Sequence, residues 1–428
     1  MMAGTAPPPC RRPSTADRHL PMPAPFPPSF QRLAWSNLAA QSAEQLSLAA
    51  VPMVAVLALG AGAGDTGALA TAQTLPFLLL SIPLGLLADR GSRRRLMVVA
   101  EALRALSLLA LWLVLAAGAL SLPLLAVLGF VGAVGTVGYS VAAPALLPAL
   151  VPRATLGAAN GRLELARSLA FAGGPAVAGA LVASVGGSAA FALATALSLA
   201  AVLLLRGLAE PAAAPVARRH PLRELADGAA LVWGHALLRP ILLTAVAWNI
   251  SWFVLQAVYM PYALRSLGLS AATVGLTLAS YGAGMVLGAL GAGRLVAALP
   301  FGRAVLLGPA MSVLAAATML ATVAWPSAAL AAASFFLFGA GPIVWTITSM
   351  TLRQTVTPGA MLGRVSAIFL AVNMGARPVG AALGGLVGAH WGEPQALALA
   401  LAGFVLQAAV IAASPVRGLR QLPAAVAA

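Results

Sequence analysis

The sequence contains no lysine and a single cysteine, Cys10. Without lysine there is no Walker A loop, whose lysine reaches the nucleotide phosphates, so the chain is not itself the ATPase of a pump. Schiff-base chemistry, retinal binding included, falls on the same ground. One thiol leaves no intrachain disulfide and no thiolate cluster. The four histidines, His19, His220, His235 and His390, lack the paired spacing of a metal site. Charge is scarce as well: 8% of 428 residues, against about 25% in a soluble domain. So few charges cannot cover a water-facing surface of that size, and a soluble enzyme is excluded. With only 6% aromatics and long apolar runs without polar alternation, an outer-membrane barrel does not fit either.

What remains is apolar. Hydrophobic residues make up 61% of the chain and mean hydropathy is +0.95. At about 20 residues per spanning helix, that suits roughly a dozen spans. Apolar segments fall at 33–59, 68–88, 96–120, 124–150, 156–185, 189–205, 241–264, 271–293, 305–325, 328–352, 366–388 and 395–413. The expected fold is an all-α membrane protein with twelve transmembrane helices. Residues 1–30, rich in proline from Pro7 to Pro28, read as a disordered cytoplasmic tail; they lack the apolar core of a secretory signal.

All 25 basic residues are arginines, and the formal net charge is +15. They sit mostly in short loops between apolar runs, so the positive-inside rule explains them better than nucleic-acid binding does. With an even number of spans, both termini share one side. Twenty arginines fall on that side, Arg265 alone falls opposite, and Arg104, Arg162, Arg167 and Arg377 fall within spans. Both termini are therefore expected in the cytoplasm and the chain in the cell membrane.

The chain also repeats itself. Pro152 and Leu156-Gly157 before span five are matched by Pro358 and Leu362-Gly363 before span eleven, 206 residues later. Asn37, Gln45 and Pro52 in span one are matched by Asn249, Gln256 and Pro261 in span seven, at offsets of 212, 211 and 209. This divides the chain into an N-terminal six-helix bundle (31–205), a linker (206–240), a C-terminal six-helix bundle (241–414) and a tail (415–428), two pseudo-symmetric halves with a site between them. In the linker, Leu222, Leu225, Ala229 and Val232 follow a helical period. They fit a short interfacial helix with Trp233 at headgroup depth; a plain tether between the halves is an equally sufficient reading.

Few residues carry chemistry. Between spans two and three lies Gly85-Leu-Leu-Ala-Asp89-Arg90-Gly-Ser-Arg93-Arg94-Arg95, and span five holds Gly174-Pro175-Ala-Val-Ala-Gly179. Further motifs are Pro144-Ala-Leu-Leu-Pro148, Ala159-Asn160-Gly161, Trp233-Gly-His235 and Leu362-Gly363-Arg364-Val365. On these residues, over roughly 30–415, the chain resembles the major facilitator superfamily, in particular the drug-exporter branch that includes macrolide and enterobactin efflux proteins. The superfamily loop signature reads G-x-x-x-D-R-x-G-R-[RK], with Ser92 here at its second glycine. Span five resembles the antiporter motif G-P-x-x-G-G, with Ala178 replacing a glycine. The resemblance implies that Gly85, Asp89, Arg90, Arg93 and Arg94 form a conformational latch, Asp89 facing the amides that open span eleven. A purely topological anchor is the other reading of that loop. For Gly174, Pro175 and Gly179, close packing and bending is the physical role.

Charges inside spans cost about 2.5–3.5 kcal/mol each at mid-membrane, so each needs a reason. Glu101 with Arg104 and Glu164 with Arg167 are i,i+3 neighbours and read as neutralised pairs. Glu44 and Arg377 lie near mid-span without a partner on their own helix. Asn37, Gln41 and Gln45 accompany Glu44; Asn249, Trp252 and Gln256 form the matching stripe in span seven. These stripes fit a central cavity, and interhelical hydrogen bonding fits the amides as well. Span four lacks the arginine that many drug antiporters carry there, which leaves Glu44 as the candidate for proton coupling.

The expected function is export of small lipophilic compounds by proton antiport. Uptake of a nutrient and a non-transporting receptor or assembly role are the alternatives. No enzyme activity and no cofactor beyond the proton gradient are expected. The partners are a small-molecule substrate and the bilayer, not nucleic acid, and the chain is expected to be a monomer. The orientation has a direct test in Cys10, the sole thiol. A membrane-impermeant maleimide should spare it in intact cells and label it after permeabilisation. Labelling in sealed cells would overturn the arginine argument.

Overall fold

The computed structural model describes residues 26–152, 155–210 and 221–423, with the side chains of Asp89, Pro221, Leu222, Arg223 and Ala360 outside the description. Most of the N-terminal tail, Cys10 included, therefore lies outside the described residues, as does the expected seat of the Asp89 carboxylate. Among the described residues the N-terminal half is built from α1 (Pro28–Leu59), α2 (Ala63–Arg90), α3 (Arg93–Ala116), α4 (Leu122–Leu150), α5 (Leu156–Ser184) and α6 (Gly187–Arg206). The linker helix α7 (Pro221–Gly234) follows. The C-terminal half holds α8 (Leu238–Pro261), α9 (Ala271–Ala298), α10 (Phe301–Ala321), α11 (Ala328–Val356), α12 (Leu362–Trp391) and α13 (Glu393–Ala412). Every helix except α7 is long and apolar enough to cross a membrane.

Local chemistry sets the ends. Ser92 accepts from the Arg95 amide at 3.1 Å, Ser270 from Thr273 at 3.2 Å and Ser327 from Leu330 at 3.4 Å, each side chain capping free amides of a first turn. Gly60, at φ 68°, closes α1 in the left-handed region that suits glycine. The helices outrun the apolar segments. Arg32, Arg239, Arg303 and Arg364 lie in or next to first turns, and Arg294 and Arg353 near last turns, rather than in loops. Backbone hydrogen bonding continues past the hydrocarbon edge, where a long guanidinium stem reaches back to water.

The two halves repeat one packing plan. In the first, α1 packs on α5 and α6, α3 on α4 and α6, and α2 on α4; in the second, α8 packs on α12 and α13, α10 on α11 and α13, and α9 on α11. Each pair recurs seven helices later. Between the halves the main seams are α2 with α12 and α5 with α9, which the same correspondence exchanges.

Call the face with the α2–α3, α9–α10 and α11–α12 connections the terminal face, since the described chain also starts and ends there, and its opposite the far face. At the far end of the seams the backbones touch. A Cβ on Gly67 of α2 would sit 2.3 Å from the Gly385 Cα of α12, and one on Gly179 of α5 would sit 2.9 Å from the Gly275 Cα of α9. Only glycine permits that approach. Gly275 follows Gly67 by 208 positions and Gly385 follows Gly179 by 206, so the contacts obey the sequence repeat. Thr66 Oγ1 donates to Ala257 O at 2.6 Å beside this seam. Toward the terminal face the same four helices part: Cβ atoms on Gly85, Gly161, Gly291, Gly293 and Gly363 would meet nothing within 4 Å. The buried core follows suit. One apolar cluster joins both halves at the far end, running from Leu46 to Phe404. On the terminal side the core divides into one cluster around Phe30, Tyr139 and Leu205 and another around Ile241, Trp345 and Val365. The bundle is shut at the far face and splayed at the terminal face.

The shut end can be trapped. A Cβ on Gly64 would lie 3.1 Å from the Ala389 Cβ, near the span a disulfide requires. In a Cys10→Ser background, the double variant Gly64→Cys/Ala389→Cys should oxidise to a cross-link, stop transport and recover on reduction. No cross-link under oxidation, or full transport by the cross-linked protein, would contradict the far-face closure.

Candidate substrate cavity

Between the halves lies a cavity of about 400 Å³, within the usual range for small-molecule sites. From the N-terminal half Glu44, Gln45, Gln73, Arg104 and Arg167 reach it; from the C-terminal half come Asn249, Trp252, Gln256, Tyr281 and Arg377. Glu44, Gln45, Asn249, Trp252, Gln256 and Arg377 of the sequence-derived set thus share one space. Asn37 and Gln41 do not. Asn37 Nδ2 donates to Leu163 O of α5 at 3.3 Å, so it bonds across a helix seam instead, and Gln41 is half-buried and not among the lining residues. Asn249 lines the wall while its Nδ2 donates to Ala245 O of its own helix at 2.9 Å.

Glu44 is not unpartnered. Its Oε2 stands 3.7 Å from Nη1 of Arg104 on α3, a neighbour that periodicity along α1 cannot reveal. Arg104 Nη2 also donates to Glu101 Oε1 and to Ala40 O, each at 2.7 Å. Ser198 of α6 donates to the same Glu101 oxygen. Glu101 is fully buried, whereas 21% of the Glu44 side chain is exposed, toward the cavity it lines. One guanidinium therefore serves two carboxylates, one sealed and one wet. The other i,i+3 pair differs: Arg167 donates from Nε to Glu164 at 3.0 and 3.1 Å, with 36% and 53% of the two side chains exposed.

The opposite wall is aromatic. Trp248 and Trp252 stack at 5.4 Å and 11°, and Trp252 meets Tyr281 at 5.2 Å and Phe338 edge-on at 5.1 Å. Arg377 lies with its guanidinium carbon 5.4 Å from the Phe77 ring and 5.5 Å from the Phe253 ring, one from each half.

The span-five motif packs helices. A Cβ on Gly174 would come 2.6 Å from the Gln45 Cβ of α1, and Gly275 of α9 abuts Pro175 O. Gly174 thus sets Gln45 against the cavity, and Gly179 makes the far seam. The equivalent stripe in span eleven, Gly380, Gly384, Gly385 and Gly388, packs just as closely; its small-residue spacing was a readable signal that the antiporter motif overshadowed.

The signature loop engages the linker. Glu210 accepts from the Arg93 and Arg94 amides at 2.9 and 3.2 Å and from Ser92 Oγ, a carboxylate on the positive end of α3. Arg94 answers by donating to the Leu205 and Arg206 carbonyls that end α6. Arg90 is exposed, and Gly85 faces open space. The first turn of α12, which the Asp89 carboxylate is expected to face, meets α7. Arg364 pairs with Asp227 at 3.2 Å and Glu224 at 3.6 Å, and a Cβ on Gly228 would lie 2.9 Å from Arg364 O.

Twelve spans in two like halves, closed at one end around a central cavity with charged and aromatic walls, define a membrane carrier. Residues 33–381 match the model of the Major Facilitator Superfamily, and the chain belongs to that family. It is 30% identical over 223 residues to the multidrug efflux pump Tap of Mycobacterium tuberculosis, covering 50% of this chain and 53% of the pump; the chain spans about half the length of these relatives. It is 30% identical over 312 residues to the enterobactin exporter EntS of Shigella boydii, covering 71% of this chain and 72% of the exporter. A solved nucleoside transporter, NupG, superimposes with a TM-score of 0.72 at 14% identity, covering 90% of this chain and 99% of that one. A bacterial homologue of the iron transporter ferroportin in an inward-facing state gives 0.70 at 18% identity, over 90% of this chain and 97% of that one. These structures share the fold.

The two ion pairs should respond differently to loss of arginine. Arg104→Met strands a sealed carboxylate and should cost about 3–5 kcal/mol. Arg167→Met leaves a Glu164 with about half of its side chain exposed rather than sealed, and should cost markedly less. Thermal unfolding of the purified protein in detergent reads the difference, and equal shifts in Tm would refute it.

Proposed function

We propose that the chain is a proton-coupled exporter of small lipophilic compounds, working by alternating access in the cell membrane with both termini in the cytoplasm. The observation that carries the proposal is the Glu44–Arg104–Glu101 cluster on the wall of the central cavity. Two carboxylates share one adjacent cation, and the wet one faces the space a substrate would occupy. A net charge is costly inside a membrane, so a proton on Glu44 neutralises the cluster when the empty carrier seals its cavity.

On this reading the terminal face is cytoplasmic and the structure is the inward-open state. Water reaches Glu44, which releases its proton to the cytoplasm and remains held by Arg104 as the substrate enters. Rocking at the seams then opens the far face and parts the contacts at Gly67 and Gly179. There the substrate leaves, Glu44 takes up a proton, and the neutralised cluster lets the empty carrier return. The aromatic wall around Trp252 suits lipophilic cargo. The likeness to Tap and EntS, an efflux pump and an exporter, favours export over uptake, which the same geometry could perform in reverse.

Glu44→Gln keeps the shape of the side chain and removes its titration. Reconstituted into vesicles, this variant should still bind substrate but lose the response of transport to an imposed pH gradient. Gradient-driven transport at the wild-type rate would eliminate Glu44 as the coupling residue and direct attention to Glu101.

A further inference from the structure

We infer that Arg377 is an anion anchor, and that the cavity takes amphipathic compounds in which an aromatic body carries a carboxylate or similar acidic group. The inference rests on the reading of the cavity as the transport site and adds the charge class of the cargo. Its first support is the inventory of acids. Residues 241–414 contain one carboxylate side chain, Glu393, which opens α13 at the far face. The C-terminal half therefore holds no acid at the depth of Arg377.

Among the described residues the three glutamates inside the spans of the other half are already engaged. Glu101 is bound by Arg104 and Ser198, Glu164 by Arg167, and Glu44 by Arg104. Among the described residues no carboxylate lies within ion-pair distance of Arg377, and its buried Nε has no hydrogen-bond acceptor. Phe77 and Phe253 set their rings within cation–π range of its guanidinium, but neither carries a negative charge or an oxygen to pair with its N–H groups. A guanidinium presents a planar fork that matches a carboxylate in two parallel hydrogen bonds, and a ligand of that kind supplies what the fold leaves out.

The surroundings fit the rest of such a ligand. The Trp248–Trp252 stack lines the same cavity and offers aromatic faces for a ring system. A cation finds no comparable seat, because the cavity's exposed acid, Glu44, is already shared with Arg104 and Arg377 adds a second positive charge to the walls.

The test uses the purified full chain in discs of zwitterionic lipid, titrated calorimetrically with naphthoate, its neutral analogue naphthamide and the cation naphthylmethylammonium, with empty discs subtracted. Wild type should bind naphthoate at least about tenfold more tightly than either analogue. Arg377→Gln should erase that preference while binding naphthamide as wild type does, and Arg377→Lys should keep part of it. Absent naphthoate binding, or wild-type preference for the amide or the cation, would overturn the assignment. So would an Arg377→Gln protein that still prefers naphthoate, or one of unchanged chromatographic profile that no longer binds naphthamide. Failure here leaves the vesicle result for Glu44→Gln intact, so the two proposals fall separately.

Discussion

The contact on which the rest of the molecule depends is the backbone-to-backbone approach of α2 with α12 and of α5 with α9 at the far face. Lipid tails are as apolar as leucine, so helices in a membrane gain little from hiding hydrophobic surface and associate through close packing and hydrogen bonds. Gly67 against Gly385 and Gly179 against Gly275 supply that packing at two related points. Among the described residues a single hydrogen bond, Thr66 to Ala257, joins the halves. A seam of touching backbones with little directional bonding resists separation less than interlocked side chains do. That combination allows firm closure at one face and rocking about it.

On the terminal side, among the described residues, polar contacts hold each half to the linker. Glu210 seats on the amides of α3 while Arg94 covers the carbonyls of α6, which fixes the start of the linker to the first bundle. Arg364 binds Asp227 and Glu224 of α7, which fixes its end to the second. The signature loop and the first turn of α12 are thus both satisfied while the terminal face is open. Any latch between them must form at the expense of, or in addition to, these linker contacts.

The twelve spans were legible because length and apolarity alone decide whether a helix can cross a bilayer, and the repeat offsets of Gly67 and Gly179 confirm in space what Asn37 and Asn249 showed in sequence. The cavity was half legible. Gln45, Trp252 and Gln256 were found by helical spacing, but the same spacing put Asn37 and Gln41 on the cavity face, whereas Asn37 bonds to α5. Periodicity reports which residues share a face, not which neighbour that face meets. The partner of Glu44 was hidden for the same reason: Arg104 is near only because α1 and α3 both flank α6. Glu210 could not be read at all, since a lone acid in a linker gains its role only from the helix end brought to it.

The placement of charge has a consequence for energetics. Glu44, Glu101 and Glu164 all belong to the first half, and Arg377 lines the cavity opposite Glu44 from the second, so a rocking of the halves would change the separation of Glu44 and Arg377. If the cargo is an anion held by Arg377 and leaves as a proton enters on Glu44, both movements carry charge in the same electrical direction. An inside-negative potential of 100 mV contributes about 2.3 kcal/mol per elementary charge, hence roughly 4.6 kcal/mol for one anion out and one proton in. A neutral cargo would gain only the proton's share. Arg377 on one wall and Glu44 on the other would then serve a single end: the first selects a cargo bearing a charge on which the field can act, and the second takes up the proton that the returning carrier brings in.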